Sequence, residues 1–313
     1  MRIVFIGTPE FAVASLESLI NSNKNIVGVI TAPDKPAGRG KKLQGSAVKD
    51  CALKNNLNLM QPTNLKDERF LSELKALNAD LQIVVAFRML PESVWNMPKL
   101  GTFNLHGSLL PQYRGAAPIN WAIMNGETET GVTTFFLKHE IDTGSIIDQT
   151  KVSIGINENV GELYHRLMNT GADLVVSTVD KIEKDNYSLT NQEDILKEIK
   201  EVKTAPKLNK DICKIDWNNS IDQLHNHIRG LSPYPCAFTE VMVDDKKLKL
   251  KIYSGEKELD TTSNNPKMVL EKKRIGIANS TGTYWIKELQ LEGKKRMDTQ
   301  SFLTGLKNEI TLT

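Results

Sequence analysis

Met1-Arg2-Ile3-Val4-Phe5-Ile6-Gly7-Thr8-Pro9 opens a chain of 313 residues. Ile3 to Ile6 is an apolar run ended at once by Gly-Thr-Pro, the pattern of a short buried strand with a sharp exit. It is far too short for a secretory h-region. Behind it, Phe11, Ser15, Leu16, Leu19 and Ile20 recur at helical spacing, and Ile26 to Thr31 is a second strand run. The chain thus begins as a β-α-β unit.

Outward from this unit the alternation continues. Leu81 to Ala86 and Gly101 to Leu105 read as strands, with helical patterns over Ala47 to Leu57 and Glu68 to Leu77 before them. Val132 to Leu137 and Ser145 to Val152 are further strands. Asn159 to Glu183 is a long helix whose Leu163, Leu167, Leu174 and Ile182 form an apolar stripe. The expected fold over residues 1–189 is an α/β, doubly wound, mostly parallel, Rossmann-like sheet. Ligands of such sheets bind beyond the carboxyl ends of the strands, which directs attention to the residues after Ala86 and Leu105.

Residues 190–209 turn charged, lose the apolar pattern and end in Thr204-Ala205-Pro206-Lys207, as a linker does. Beyond it, Ile221, Leu224, Ile228 and Leu231 define an amphipathic helix with Ser220 as its N-cap. Period-2 runs follow at Ala237 to Val243, Leu248 to Tyr253, Arg274 to Ala278 and Thr283 to Leu291. Short strands at this spacing predict a small antiparallel, OB-like β-barrel over residues 210–313.

With 40% hydrophobic and 25% charged residues the composition excludes a disordered or fibrous chain. Cys51, Cys213 and Cys236 are too few and too scattered for a disulfide framework, so a reducing, cytoplasmic setting is expected. No run approaches the ~18 residues of a membrane span, and no motif marks a dedicated dimer surface, so a monomer is expected. The formal charge of +2 conceals an asymmetry. Residues 1–204 carry 22 basic and 24 acidic side chains, net −2, and residues 205–313 carry 18 and 14, net +4.

The densest chemical signal is Asn104-Leu105-His106-Gly107-Ser108-Leu109-Leu110-Pro111. Side chains two apart on a strand share a face, so Asn104 and His106 project together. A carboxamide donor beside an imidazole suits an oxyanion site with proton transfer near neutral pH, although an isolated Asn-x-His more often caps a strand end. Ile141-Asp142-Thr143-Gly144 interrupts two strand patterns of the same sheet, and its carboxylate is expected to orient His106 and hold its donating tautomer. A lone Asp-Thr-Gly does not make an aspartic protease.

Gly7-Thr8-Pro9 lacks the glycines of a dinucleotide fingerprint, so no nicotinamide or flavin is expected. Lys35, Arg39, Lys41 and Lys42 sit in a Pro/Gly-rich loop leaving the second strand, an arm for a phosphate-rich partner where a solvated loop is the bland alternative. His225 and His227 with Cys213 and Cys236 could suggest zinc, but residues two apart on a helix diverge, so surface histidines and no metal are expected.

In this order, Gly7-Thr8-Pro9-Glu10-Phe11-Ala12, Pro33 to Lys42, Asn104 to Ile119 and Asp142-Thr143-Gly144 closely resemble the methionyl-tRNA formyltransferase family within the formyltetrahydrofolate-using superfamily. The resemblance covers nearly the whole chain, Ile215-Asp216-Trp217 and the final barrel included. It implies transfer of a formyl group from 10-formyltetrahydrofolate to initiator methionyl-tRNA. It further implies Asn104, His106 and Asp142 as the catalytic trio and Ser108, Leu109, Leu110 and Pro111 as the folate-contacting segment. The tRNA-facing loop maps onto Asp34 to Lys42, with Arg39 prominent, and a tRNA-binding role falls to the barrel. Phe87-Arg88-Met89-Leu90-Pro91 departs from the family's Tyr-Gly-x-Ile-Leu-Pro type of segment by being one residue shorter. The nearest alternative is another 10-formyltetrahydrofolate-dependent formyltransferase or a hydrolase acting on a small molecule, which would keep the trio but have little use for the Arg39 loop. A noncatalytic RNA-binding protein on the same scaffold would have no need of the complete trio.

Overall fold

The computed structural model describes residues 1–37, 42–259, 263–306 and 309–313. The chain divides into two compact units. Met1–Gly115, Thr130–Val152 and Tyr164–Thr204 form the first, and Ala116–Glu129, Ser153–Leu163 and Ala205–Thr313 form the second.

In the first unit, β1 (Arg2–Gly7), α1 (Glu10–Asn21) and β2 (Asn25–Ile30) reproduce the expected β-α-β start. The short strands β3 (Lys35–Ala37) and β4 (Lys42–Gln44) pair antiparallel. Next come α2 (Ala47–Lys54), β5 (Leu59–Met60), α3 (Glu68–Ala76), β6 (Leu81–Val85), α4 (Glu92–Trp95), β7 (Thr102–His106) and β8 (Arg114–Gly115). After α5 (Pro118–Met124), which belongs to the second unit, follow β9 (Glu129–Phe136), β10 (Ile146–Ser153), α6 (Val160–Glu183), α7 (Gln192–Leu196) and β11 (Thr204–Ala205).

The main sheet has the order β10-β9-β7-β6-β1-β2-β5. β1, β2, β5, β6 and β7 run parallel, and β9 runs antiparallel to β7. Ile3, Val4, Phe5, Ile6, Leu81, Ile83 and Val85 are all fully buried, as strands covered on both faces must be. From β1 the chain builds outward through β2 to β5, then returns to add β6 and β7 on the other side. The switch point therefore lies between β1 and β6, where Gly7 ends β1 and Ala86 follows β6. Gly7 is required for close packing: a Cβ there would stand 2.6 Å from the Ala12 Cβ and 3.0 Å from the Val85 carbonyl oxygen.

Helix α6 carries the predicted stripe, with Leu163, Leu167, Leu174 and Ile182 all buried. It passes close behind β7 because Gly171 has no side chain, and a Cβ there would meet Leu105 at 2.8 Å. Residues 190–209 hold α7 and β11, and β11 pairs with β8.

In the second unit, α8 (Lys210–Cys213) and α9 (Ile221–Leu231) precede an antiparallel sheet. Its strands are β12 (Ala237–Val243), β13 (Lys246–Glu258), β14 (Lys267–Leu270), β15 (Ile275–Asn279), β16 (Gly282–Leu291) and β17 (Met297–Asp298), then, after α10 (Thr299–Gly305), β18 (Ile310–Leu312). The order β14-β15-β16-β13-β12-β18 brings β14 back near β18, so the sheet curls into a nearly closed barrel. β13 bends at bulges around Ser254 and Gly255.

Ser220 and Gln223 form a capping box that starts α9. Ile221, Leu224, Ile228 and Leu231 then pack into the barrel core with Trp217, Leu250 and Tyr284. Each such aliphatic side chain contributes about 1.5–3 kcal/mol relative to exposure. The surface placement expected for His225 and His227 is corrected: His225 is buried and His227 partly so. The reason is that the other side of α9 is covered too. Asn120 Nδ2 donates to the Gly230 carbonyl, His225 Nε2 meets the Ile156 carbonyl, and the Arg229 guanidinium caps the carbonyls of Gly155 and Glu158. Burial lowers the pKa of both histidines.

Candidate active site

The strand alternation of β7 leaves Phe103 and Leu105 in the core and sets Asn104 and His106 on the other face, half-buried and buried respectively. His106 Nε2 donates to the Tyr113 carbonyl oxygen at 2.9 Å. A carbonyl can only accept, so the neutral ring carries its proton on Nε2 and presents a lone pair at Nδ1. The tautomer is thus set by backbone, not by Asp142 as expected.

Asp142 faces the lone pair. Because β9 is antiparallel to β7, its last residue, Phe136, pairs with Phe103 at the start of β7. The chain after β9 folds back, and Asp142 Oδ2 comes within 3.8 Å of His106 Nδ1. The same carboxylate oxygen accepts the Gly115 N–H at 2.9 Å. Gly144 lies flat on the end of β9, where a Cβ would be 1.5 Å from the Phe136 carbonyl oxygen. Ala86, Tyr113 and Asp142 all take left-handed backbone conformations, at φ of 49°, 60° and 56°. Each such residue costs of order 1–3 kcal/mol, and such costs cluster at functional sites.

Ser108, Leu110 and Pro111 are buried and Leu109 is half-buried. Their polar groups are used within the protein. Ser108 Oγ donates to the Gln112 carbonyl, the Thr133 hydroxyl donates to the Ser108 carbonyl and accepts the Leu110 N–H, and Gln149 Nε2 donates to the Leu110 carbonyl and to Thr133. Thr133 and Gln149 stand out only in the folded chain. The segment is therefore a rigid wall. Met89 after β6 and Ile141 beside Asp142 are exposed apolar side chains.

Lys35 lies on β3, Lys42 on β4, and Arg39 and Lys41 fall outside the described residues. The root of this hairpin is tied down: Asp34 accepts from Lys49 Nζ at 2.5 Å and from Gln61 Nε2 at 2.9 Å. These partners, Lys49 first, hold the Asp34 pKa below its usual value. Among the described residues no group of His, Cys, Asp and Glu could hold a metal ion, and no helix is long and apolar enough to cross a membrane. A separate polar cleft of about 470 Å³, lined by Ser18, Asn21, Asp173 and Asp180, contains none of the residues above.

A formyl transferase domain pattern matches residues 1–179, and the C-terminal domain pattern of the same family matches residues 207–307. A protein of Flavobacterium johnsoniae named methionyl-tRNA formyltransferase is 56% identical over 307 residues, 98% of this chain and 96% of its own length. Its namesake in Parabacteroides distasonis is 54% identical over 312 residues, with coverage of 98% and 96%. Among solved structures, the chain is similar to an N-formyltransferase from Helicobacter canadensis in complex with folinic acid and dTDP-3-aminofucose, with a TM-score of 0.67 at 21% identity, over 94% of this chain and 99% of that one. It is also similar to HypX from Aquifex aeolicus in complex with tetrahydrofolic acid, with a TM-score of 0.64 at 17% identity, over 98% of this chain and 47% of that one. These two share the fold. With both domain patterns matched in order and more than half of its residues shared with like-named proteins along nearly the full length, the chain belongs to the methionyl-tRNA formyltransferase family.

Proposed function

We propose that the protein transfers the formyl group of 10-formyltetrahydrofolate to the α-amino group of initiator methionyl-tRNA, acting as a monomer in the cytoplasm. The observation that carries this reading is the facing of His106 Nδ1 and Asp142 Oδ2 beside Asn104, in a chain so similar to proteins of that name.

A free α-amino group titrates at about pH 7.7–8.0, so a neutral, nucleophilic fraction exists near pH 7 without a strong base. Its attack on the formyl carbon forms a C–N bond and leaves negative charge on oxygen and positive charge on nitrogen. Asn104 supplies an amide N–H to the oxygen. His106 Nε2 is committed to Tyr113, so the acceptors for the ammonium proton are His106 Nδ1 and Asp142 Oδ2. Once protonated, Nδ1–H becomes a donor beside a carboxylate that balances its charge. The proton passes to N10 as the C–N10 bond breaks, so the amine loses one proton and tetrahydrofolate gains one.

The wall of Ser108 to Pro111, with Met89 and Ile141, gives the folate rings an apolar surface to cover. The basic loop of Lys35, Arg39, Lys41 and Lys42 and the basic barrel take the phosphates of the tRNA. On the barrel, Lys272–Lys273 and Lys294–Lys295 lie between strands and have no acidic partner among the described residues.

The test is to supply 10-formyltetrahydrofolate with charged initiator tRNA, with an amino sugar nucleotide, or alone. Formylmethionine on the tRNA is the expected product. Equal kcat/KM for the small amine, or release of formate only, would overturn the proposal.

A further inference from the structure

Gln192 lies in the charged stretch that reads as a linker, yet it is fully buried. Thr190 exchanges two backbone hydrogen bonds with Ile146 at the start of β10, and Ile195, three residues after Gln192, packs on Leu110, Phe135 and Ile146. These contacts aim the Gln192 amide at the Asp142 loop. Its Nε2 donates to the Asp142 carbonyl at 2.9 Å and to the Gly144 carbonyl at 2.7 Å. Its Oε1 accepts from Arg114 Nε at 3.1 Å and Nη2 at 2.7 Å. A carboxamide has two donor hydrogens and two acceptor positions, and all four are used.

The two segments joined in this way are those that define the His106 environment. Tyr113 holds Nε2, Gly115 holds Asp142 Oδ2, and Arg114 lies between them. We propose that Gln192 is a positioning residue that fixes the strained backbone of Asp142 and so aims its carboxylate at His106. The inference rests on the reading of Asn104, His106 and Asp142 as the reacting centre. No other residue type of this size supplies two donors and two acceptors. Glutamate would turn an oxygen toward two carbonyl oxygens, and methionine would leave the two carbonyls and the guanidinium without their partner.

A misplacement of about 1 Å at a catalytic group can cost about 10²-fold in rate. Gln192→Met is accordingly expected to lower kcat by about that factor, with KM for folate and for tRNA within about two-fold of the parent. The deciding measurement is a double-mutant cycle with Asp142→Ala, using kcat for formyl transfer to methionyl-tRNA. If Gln192 acts through the carboxylate, Gln192→Met loses its effect once that carboxylate is gone. Full additivity of the two losses would overturn the inference and leave Gln192 a structural amide. A normal kcat for Asp142→Ala alone would instead remove the reading on which the inference rests, a separate outcome. Should Gln192→Met not fold, Gln192→Glu, which keeps the volume and an acceptor for Arg114, enters the same cycle with the same expected non-additivity.

Discussion

The carbonyl oxygen of Tyr113 accepts the Nε2 proton of His106 at 2.9 Å, and this backbone contact leaves Nδ1 as the open side of the imidazole. Nε2 is occupied, so in the proposed reaction the proton goes to Nδ1 or to Asp142 Oδ2 opposite it, 3.8 Å away. That separation exceeds a direct hydrogen bond and suits a shared donor such as an amine placed between the two.

Asp142→Asn tests the charge. Asparagine retains an oxygen for the Gly115 N–H, so the loop and the fold are expected to survive. The negative charge that balances a protonated His106 is lost, and the rate of formyl transfer should fall by about 10²- to 10⁴-fold, the range of a general acid–base contribution. An unchanged melting temperature with near-normal turnover would show that His106 works without its neighbour.

Asn104→Ala removes the amide donor from a half-buried position on β7. Loss of one preorganised oxyanion donor costs roughly 10²- to 10³-fold in kcat, while folate KM should hardly move. Retention of most of the kcat in steady-state assays would exclude an oxyanion role for this side chain.

The charge asymmetry predicts different salt responses for the two substrates. Each phosphate contact makes log K fall with log[salt] by about 0.7–0.9. The tRNA KM should therefore rise steeply between low and moderate salt, and the folate KM should not. Arg39→Ala should raise the tRNA KM and flatten its salt slope with folate KM unchanged. A tRNA KM indifferent to salt would rule out the phosphate-binding role of the loop and the barrel.

Acid should weaken the second unit. Burial depresses the pKa of His225, with Lys257 and Arg229 adding to the effect and the Ile156 carbonyl and Asp222 opposing it, and burial also depresses that of His227. Among the described residues, the buried nitrogens His225 Nδ1 and His227 Nε2 have no hydrogen-bond partner. The unfolded chain takes up protons from about pH 6.5 downward, while the folded histidines stay neutral until lower pH. Stability is thus fully present above about pH 6.5 and declines as pH falls through the gap between the two pKa values. Melting temperatures measured from pH 7.5 to 5 should drop for the parent and drop less for a His225→Phe, His227→Phe protein. Parallel curves would assign the acid loss to other groups.

Much of the fold was readable because it depends on local period. The apolar run Ile3 to Ile6, the helical stripe of Leu163 to Ile182 and the N-cap at Ser220 are each written within a few turns or one strand. Asn104 and His106 were readable as a pair for the same reason, since strand alternation places them on one face. His225 and His227 misled because a helix wheel shows one apolar stripe and cannot show that α5 and residues 155–158 cover the other side of α9. Gln192 was hidden by its charged neighbours.

The sequence by itself determined the long strands and the longer helices, the Asn104–His106 pair and the family, because these rest on local spacing and residue identity. Tertiary structure alone decided how Asp142 reaches His106, that the Tyr113 carbonyl engages the imidazole Nε2, and that Gln192 hydrogen-bonds the Asp142 loop. The physical reason is the direction of β9. An antiparallel strand delivers its following loop to the wrong end of β7, and only folding back, held by hydrogen bonds from residues such as Gln192, 50 positions away from Asp142, closes the site.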